Sequence, residues 1–217
     1  MYIKGKKAHN LVDNPTEQYK SSSAHLTHLA ALGNHSGTVG LLLEKGAIIE
    51  PRDTDDCTPL HVAALNGHSD TVTLLLEKGA SIEARNKVNN TPIYHAAVNG
   101  HSGTVRLLLE KGASIELRDT EDCTPLHFAA MCGHSDIVAL LLEKGTSIES
   151  RGRNNNTPMH FAAIQGHLDV VGLLSEKDAS IDARNTDNDT PMHYAALYGH
   201  SDIVELLLER GAKFDTT

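Results

Sequence analysis

Fourteen histidines in 217 residues invite a chemical reading. Imidazole is the commonest metal ligand and the side chain that titrates nearest neutrality. Position decides what these histidines do. His61, His127, His160 and His193 each end a Thr-Pro-x-His tetrapeptide, and His68, His101, His134, His167 and His200 each follow a glycine. A metal or catalytic centre needs several groups converging on one place. A residue that returns once per period instead has a task repeated in every unit. Both sets therefore read as structural, and the expectation is no catalytic residue, no metal site, no cofactor and no enzyme. Tyr94 and His95 break the pattern in TPIYHAA, which should change one hydrogen bond between units and adds no chemistry.

The other nucleophiles are equally unpromising. Cys57 and Cys123 occupy the same position two units apart. Packed helices lie about 10 Å apart, so these two should be roughly 20 Å apart, and a disulfide needs Cα atoms within about 7 Å. With Cys132, they read as free thiols of a reducing compartment. The chain has no Gly-rich phosphate loop, no CxxC pair and no serine nucleophile motif.

The elements that carry these residues are clearest in TPLHFAAMCGHSDIVALLLEKG, from Thr124 to Gly145. Thr124 suits a helix N-cap, and Pro125 suits the first helical position. His127 stands three residues after the cap, where a side chain can reach back to it, so a Thr124–His127 hydrogen bond is expected. Gly133 ends this helix. Ser135 and Asp136 open a second, with Asp136 at the positive end of its dipole. Ile137, Val138, Leu140, Leu141 and Leu142 form the apolar side of that second helix. Gly145 takes the left-handed position that closes it. Neither helix is long enough to stand alone, so the pair must be stacked on something.

The chain supplies the partner by repetition. Thr58, Thr91, Thr124, Thr157 and Thr190 open TPLH, TPIY, TPLH, TPMH and TPMH at a constant step of 33 residues. A fixed period of this length indicates a solenoid. The pattern TPLHxAAxxGHxxxVxLLLxxGA closely resembles the ankyrin repeat over roughly residues 25–217. That resemblance implies an all-α solenoid of about six helix-turn-helix units with protruding β-turn fingers. The units fall near 25–57, 58–90, 91–123, 124–156, 157–189 and 190–217. Residues 1–24 match no repeat and read as a tail or short cap. The first unit is degenerate, with HLTHLAALGNH where the next has TPLHVAALNGH, as terminal repeats usually are.

Three departures from the family pattern are systematic. Gly usually stands two residues before the Thr of TPLH; here Asp56, Asn89, Asp122, Asn155 and Asn188 do. Asn and Asp best tolerate the positive φ that such a turn needs, so the turn should survive. Each finger is also preceded by an acid (Glu50, Glu83, Glu116, Glu149, Asp182) with an arginine two residues on (Arg52, Arg85, Arg118, Arg151, Arg184). These read as a solvated ladder of ion pairs, each contributing about 0–1 kcal/mol, or as a binding stripe for a charged partner. Finally, unit 157–189 is weak: Ser175 replaces a leucine expected to be buried, and Asp178 replaces the closing glycine.

Function follows the resemblance. It implies a non-catalytic module that binds another protein through its first helices and fingers, as adaptor, scaffold or competitive inhibitor. The alternative is the binding or regulatory region of a larger protein, for example an enzyme or a host-directed bacterial effector. The residue after each Ala-Ala pair (Leu32, Leu65, Val98, Met131, Ile164, Leu197) is apolar and would form a stripe along the groove, unless these side chains lean inward to shield the helix packing. Beside it run Asn66, Asn99, Cys132, Gln165 and Tyr198. Specificity would come from the fingers, through Asp55, Cys57, Lys87, Val88, Asn90, Glu121, Cys123, Arg153, Asn154, Asn156 and Asp187. Met131 and Ile164, with Tyr198 nearby, stand as the expected anchors.

Charge narrows the partner. Lys and Arg number 19 against 28 Asp and Glu, a net charge of -9. That balance disfavours sequence-independent binding to nucleic acid or to an anionic membrane. No stretch has the apolar length of a membrane span, and MYIKGKKAHN lacks the apolar segment of a secretory signal. The expectation is a monomeric, intracellular, cytoplasmic protein.

Overall fold

The computed structural model describes residues 25–213. The tail expected over residues 1–24 lies outside them. Twelve α-helices among the described residues form six consecutive pairs: α1 (Leu26–Leu32) with α2 (Ser36–Glu44), α3 (Pro59–Leu65) with α4 (Ser69–Glu77), and α5 (Pro92–Val98) with α6 (Ser102–Glu110). They continue with α7 (Pro125–Met131) and α8 (Ser135–Glu143), α9 (Pro158–Gln165) and α10 (Leu168–Glu176), and α11 (Pro191–Tyr198) and α12 (Ser201–Glu209). First helices stack on first helices and second on second, making two layers. No strand occurs among the described residues.

Local chemistry explains where each helix starts and stops. Pro59, Pro92, Pro125, Pro158 and Pro191 are first helical residues behind a threonine N-cap. The expected Thr124–His127 bond is present: the Thr124 N–H donates to Nδ1 of His127 at 3.1 Å, with Thr124 Oγ1 2.9 Å from the same nitrogen. Gly67, Gly100, Gly133, Gly166 and Gly199 turn the chain with φ between 71° and 79°. In the degenerate first unit Asn34 does this at φ 56°.

The core lies between the layers. Ala63, Ala64, Ala96, Ala97, Ala129, Ala130, Ala162 and Ala163 are buried completely, which lets the first helices approach closely. Val72, Val105, Val138 and Val171 meet them from the second helices, with Leu75, Leu108, Leu141, Leu174 and Leu207 beneath. These are the middle leucines of each LLL run. The third leucine of the run is only half-buried in every unit, and so is Ser175. That corrects the expected burial defect there: Ser175 Oγ donates to the Gly172 carbonyl at 2.8 Å and buries no bare hydroxyl. Asp178 does sit in the left-handed region, φ 64°, where Gly46, Gly79, Gly112, Gly145 and Gly211 lie between 87° and 94°.

The finger turns keep their shape without glycine. Asp56, Asn89, Asp122, Asn155 and Asn188 have φ between 59° and 65°. Each finger except one is stapled from within by the residue three before this position. Asp53 Oδ1 accepts from the Asp55 and Cys57 amides, both at 2.8 Å, and Asn86, Asp119 and Asn185 repeat the arrangement. Gly152 has no side chain to do so, and a short 3-10 turn, Arg153–Asn155, stands there instead.

Candidate partner-binding face

Two sets of histidines hold the stack together, one bonding forward to the finger segment that closes its own unit and one bonding back to the preceding unit. In the TPxH set a backbone N–H points at Nδ1. An amide can only donate, so Nδ1 accepts and Nε2 carries the proton. That proton goes to a carbonyl further on: from His61 to Asn90 at 3.1 Å, from His127 to Ser150 at 3.0 Å and from His160 to Asp189 at 3.1 Å. Burial, partly opposed by these carbonyl bonds, lowers all three imidazoles to about 4. The Gly-His set reaches backward. Nε2 of His68, His101, His134, His167 and His200 meets the carbonyls of Leu32, Leu65, Val98, Met131 and Ile164 at 2.9–3.2 Å. Gly67, Gly100, Gly133 and Gly166 lie tight against the imidazole of the following unit: a Cβ on Gly133 would lie 2.6 Å from Nδ1 of His167.

The acid–arginine ladder is more than a solvated row of ion pairs, since its members bond backbone groups across units. All five acids, and the arginines Arg52, Arg85, Arg118 and Arg151, bond the backbone of a neighbouring unit. Glu50, Glu83, Glu116 and Glu149 accept the amides of Ser81, Ser114, Ser147 and Ser180 at 2.6–2.9 Å. Arg118 Nη1 donates to Asp122 O and Arg151 O, both at 2.6 Å, and Arg52 and Arg151 bridge in the same way.

The fingers are joined edge to edge. Lys87 N–H donates to Asp55 O, Thr120 N–H to Val88 O and Thr186 N–H to Asn154 O, at 3.0–3.1 Å. Between the fingers at 119–123 and 152–156 a side-chain pair makes the link: Arg153 Nη1 lies 2.9 Å from Glu121 Oε2. Both were expected as specificity residues, and they pair with each other.

Among the other expected contact residues, Asp55, Lys87, Asn154, Gln165, Asp187, Leu197 and Tyr198 are exposed. Cys57, Leu65, Asn66, Val88, Val98, Asn99, Met131 and Cys132 are half-buried. Four are buried: Asn90, Cys123, Asn156 and Ile164. Asn156 is spent on the amide of Asn185, 2.9 Å away. Ile164 is 6% exposed, whereas Leu197 at the same register is 71% exposed. The difference is the unit that follows: α11 stacks on α9, and no described unit stacks on α11. The stripe therefore sits in the seam between first helices, and Ile164 cannot be a surface anchor. The three cysteines are free thiols, and burial pushes Cys57 and Cys123 up to about 12, far from a reactive thiolate.

One register escaped sequence reasoning. The residue just before each Ala-Ala pair is Leu29, Val62, His95, Phe128, Phe161 and then Tyr194. It lies beneath the fingers: Asn86 Nδ2 is 3.4 Å from His95 Nε2, and Asn185 Nδ2 donates to the Tyr194 hydroxyl at 2.8 Å. Half-buried Phe128 packs edge-on against Tyr94, ring centres 4.3 Å apart. The signal was available at the same period of 33, one residue from the position that drew attention. Tyr94 has taken the capping histidine's place, so α5 has no capping box.

The face assembled from first helices and fingers can thus offer rigidly held polar tips over a half-apolar floor. Among the described residues no three His, Cys, Asp or Glu side chains are grouped to hold a metal ion, and no helix is long and apolar enough to cross a membrane. The sequence model of one family, described as ankyrin repeats (3 copies), matches residues 7–86, 83–152 and 144–217. The match begins inside the segment read as a tail. No curated protein matches the chain.

Proposed function

The chain belongs to the ankyrin-repeat family, whose repeats are generally protein–protein interaction modules, and from that premise we propose that it holds a partner protein on the first-helix and finger face. The binding is non-catalytic and the protein acts as an adaptor, scaffold or competitive inhibitor. The observation that carries this reading is the fixing of the fingers. Backbone bonds join neighbouring tips, so exposed Asp55, Lys87, Asn154 and Asp187 are held in place before any partner arrives. A backbone already fixed in place loses little entropy on binding. His95, Phe128 and Tyr194 supply the aromatic floor under those tips, and Leu65, Val98 and Met131 the apolar seam beside it. The tips carry both signs of charge, so the partner's surface is mixed rather than uniformly basic. Free thiols with raised pKa values suit a reducing, cytoplasmic setting, and the protein acts as a monomer.

The test is affinity capture with mass spectrometry, comparing the wild type with a Lys87→Glu, Gln165→Glu, Asp187→Lys triple variant. All three positions are exposed, so circular dichroism and melting should not change. Partners captured by the wild type and lost by the variant support the reading. An identical captured set from both proteins places the partner elsewhere.

A further inference from the structure

We propose a second docking site, on the second-helix layer: a furrow between α10 and α12 that takes a basic amphipathic helix. It is independent of the site proposed above, since no first-helix or finger residue lines it.

The furrow has a volume of about 620 Å³. Its floor is apolar, made by Leu168, Leu173 and Leu206, all half-buried. Two of its lining residues are departures from the repeat. Leu168 stands where the other units have Ser36, Ser69, Ser102, Ser135 and Ser201. Gly172 stands mid-helix, where glycine weakens a helix relative to alanine. Packing does not demand glycine there: an added Cβ would meet only Leu206 Cδ2, at 3.9 Å. What glycine does is leave the space open. The same register holds Gly40, and a similar furrow of about 430 Å³ lies between α2 and α4 at that point. That one is walled by fewer carboxylates, Glu44, Asp70 and Glu77.

Charge selects the occupant. The walls of the α10–α12 furrow carry Asp169 and Glu176 on one side and Asp202, Glu205 and Glu209 on the other. The single cation among the lining residues, Arg210, is already 3.4 Å from Glu176. On each wall the carboxylates repeat at helical spacing, three, four or seven residues apart, and so share a face. The flanking helices are nine residues long, roughly 13 Å at 1.5 Å per residue. That length matches two to three turns of a bound helix whose apolar stripe meets the leucines and whose lysines or arginines meet both walls.

The test uses a fluorescein-labelled 14-residue peptide with leucines on one helical face and lysines on the other, titrated with the protein and followed by anisotropy. Gly172→Leu fills the furrow without changing any charge, and it removes a helix-weakening glycine, so the variant should melt no lower than the wild type. The expected result is binding to the wild type that weakens at least tenfold in Gly172→Leu. Glu205→Gln with Glu209→Gln should weaken it several-fold and flatten its salt dependence. Equal affinity for wild type and Gly172→Leu would show that diffuse negative charge holds the peptide, and would overturn the proposal. So would an absence of binding to the wild type at low salt.

Discussion

Nε2 of His61 donates to the carbonyl oxygen of Asn90, 3.1 Å away at the end of the finger that closes the same unit. Nδ1 accepts the Thr58 amide at 3.0 Å, so the ring is neutral with its one proton on Nε2. A second proton would break that cap and place a charge in a buried site. The seating of each finger segment on its unit's first helix is thus held by neutral, buried imidazoles.

The first prediction is acid sensitivity well above the carboxylate range. His61, His127 and His160 sit at about 4 when folded against a usual 6.5. A histidine whose folded pKa is lowered binds fewer protons folded than unfolded across that interval. Stability therefore rises with pH from about 4 to 6.5 and is fully present above 6.5. Each ring contributes on the order of 3 kcal/mol, lost as pH falls through that window. Urea midpoints measured from pH 7.5 to 4.5 should drop steadily below pH 6.5. A flat profile over that range would show that these rings do not hold the finger segments in place.

Glycines of the two turn types should differ sharply in what they tolerate. Gly133 has φ 77°, and a Cβ there would press on the next unit's His167. Gly145 has φ 87° with open space around it. Gly145→Ala should cost about 1–2 kcal/mol for the left-handed backbone alone. Gly133→Ala adds a clash and the displacement of a stacking imidazole, and should cost visibly more in the same denaturation experiment. Asp178→Gly should move the other way, raising stability by about 1 kcal/mol. Equal costs at Gly133 and Gly145 would mean the imidazole shifts freely.

Arg118 and Arg153 separate clamp from surface pair. Arg118 is half-buried and makes two 2.6 Å bonds to carbonyls of two successive fingers. Hydrogen bonds to a charged group contribute about 1.5–3 kcal/mol, so Arg118→Ala should cost about 1–2 kcal/mol. Arg153, more than half exposed in its pair with Glu121, should cost under about 1 kcal/mol when replaced by alanine. Raising the salt concentration should shrink the Arg153 effect and leave that of Arg118. A negligible loss at Arg118 would restore the solvated ladder.

Helix pairs, caps and turns were legible in the sequence because their causes are local. Thr124, Pro125 and His127 act within four residues, and Asn or Asp at the finger tips declares positive φ by its own chemistry. The clamps were not legible. Glu116 accepts a backbone amide 31 residues away and Arg118 donates to a carbonyl 33 away, and backbone groups leave no trace in a residue pattern. Glu and Arg two residues apart looked like partners of each other for that reason. Exposure of Asp55, Lys87 and Asp187 followed from the turn. Burial of Ile164 did not, because it depends on the unit stacked over it.

That burial sets the last prediction. Met131 and Ile164 share a register, but Met131 is half-buried and Ile164 is 6% exposed. Both carbonyls also anchor an imidazole of the next unit, at 2.9 Å from His167 and 3.2 Å from His200. Ile164→Glu puts a carboxylate into the seam between α9 and α11, where an unpaired charge cannot be solvated. It should lower the melting temperature by many degrees and release the last unit first, seen as lost amide protection over residues 190–213. Met131→Glu can turn its carboxylate toward solvent and should cost less, about 1–2 kcal/mol. If Ile164→Glu melts like the wild type, the seam is open to water and the apolar stripe is a surface after all. If Met131→Glu is the more damaging change, the order of burial along the stripe is reversed.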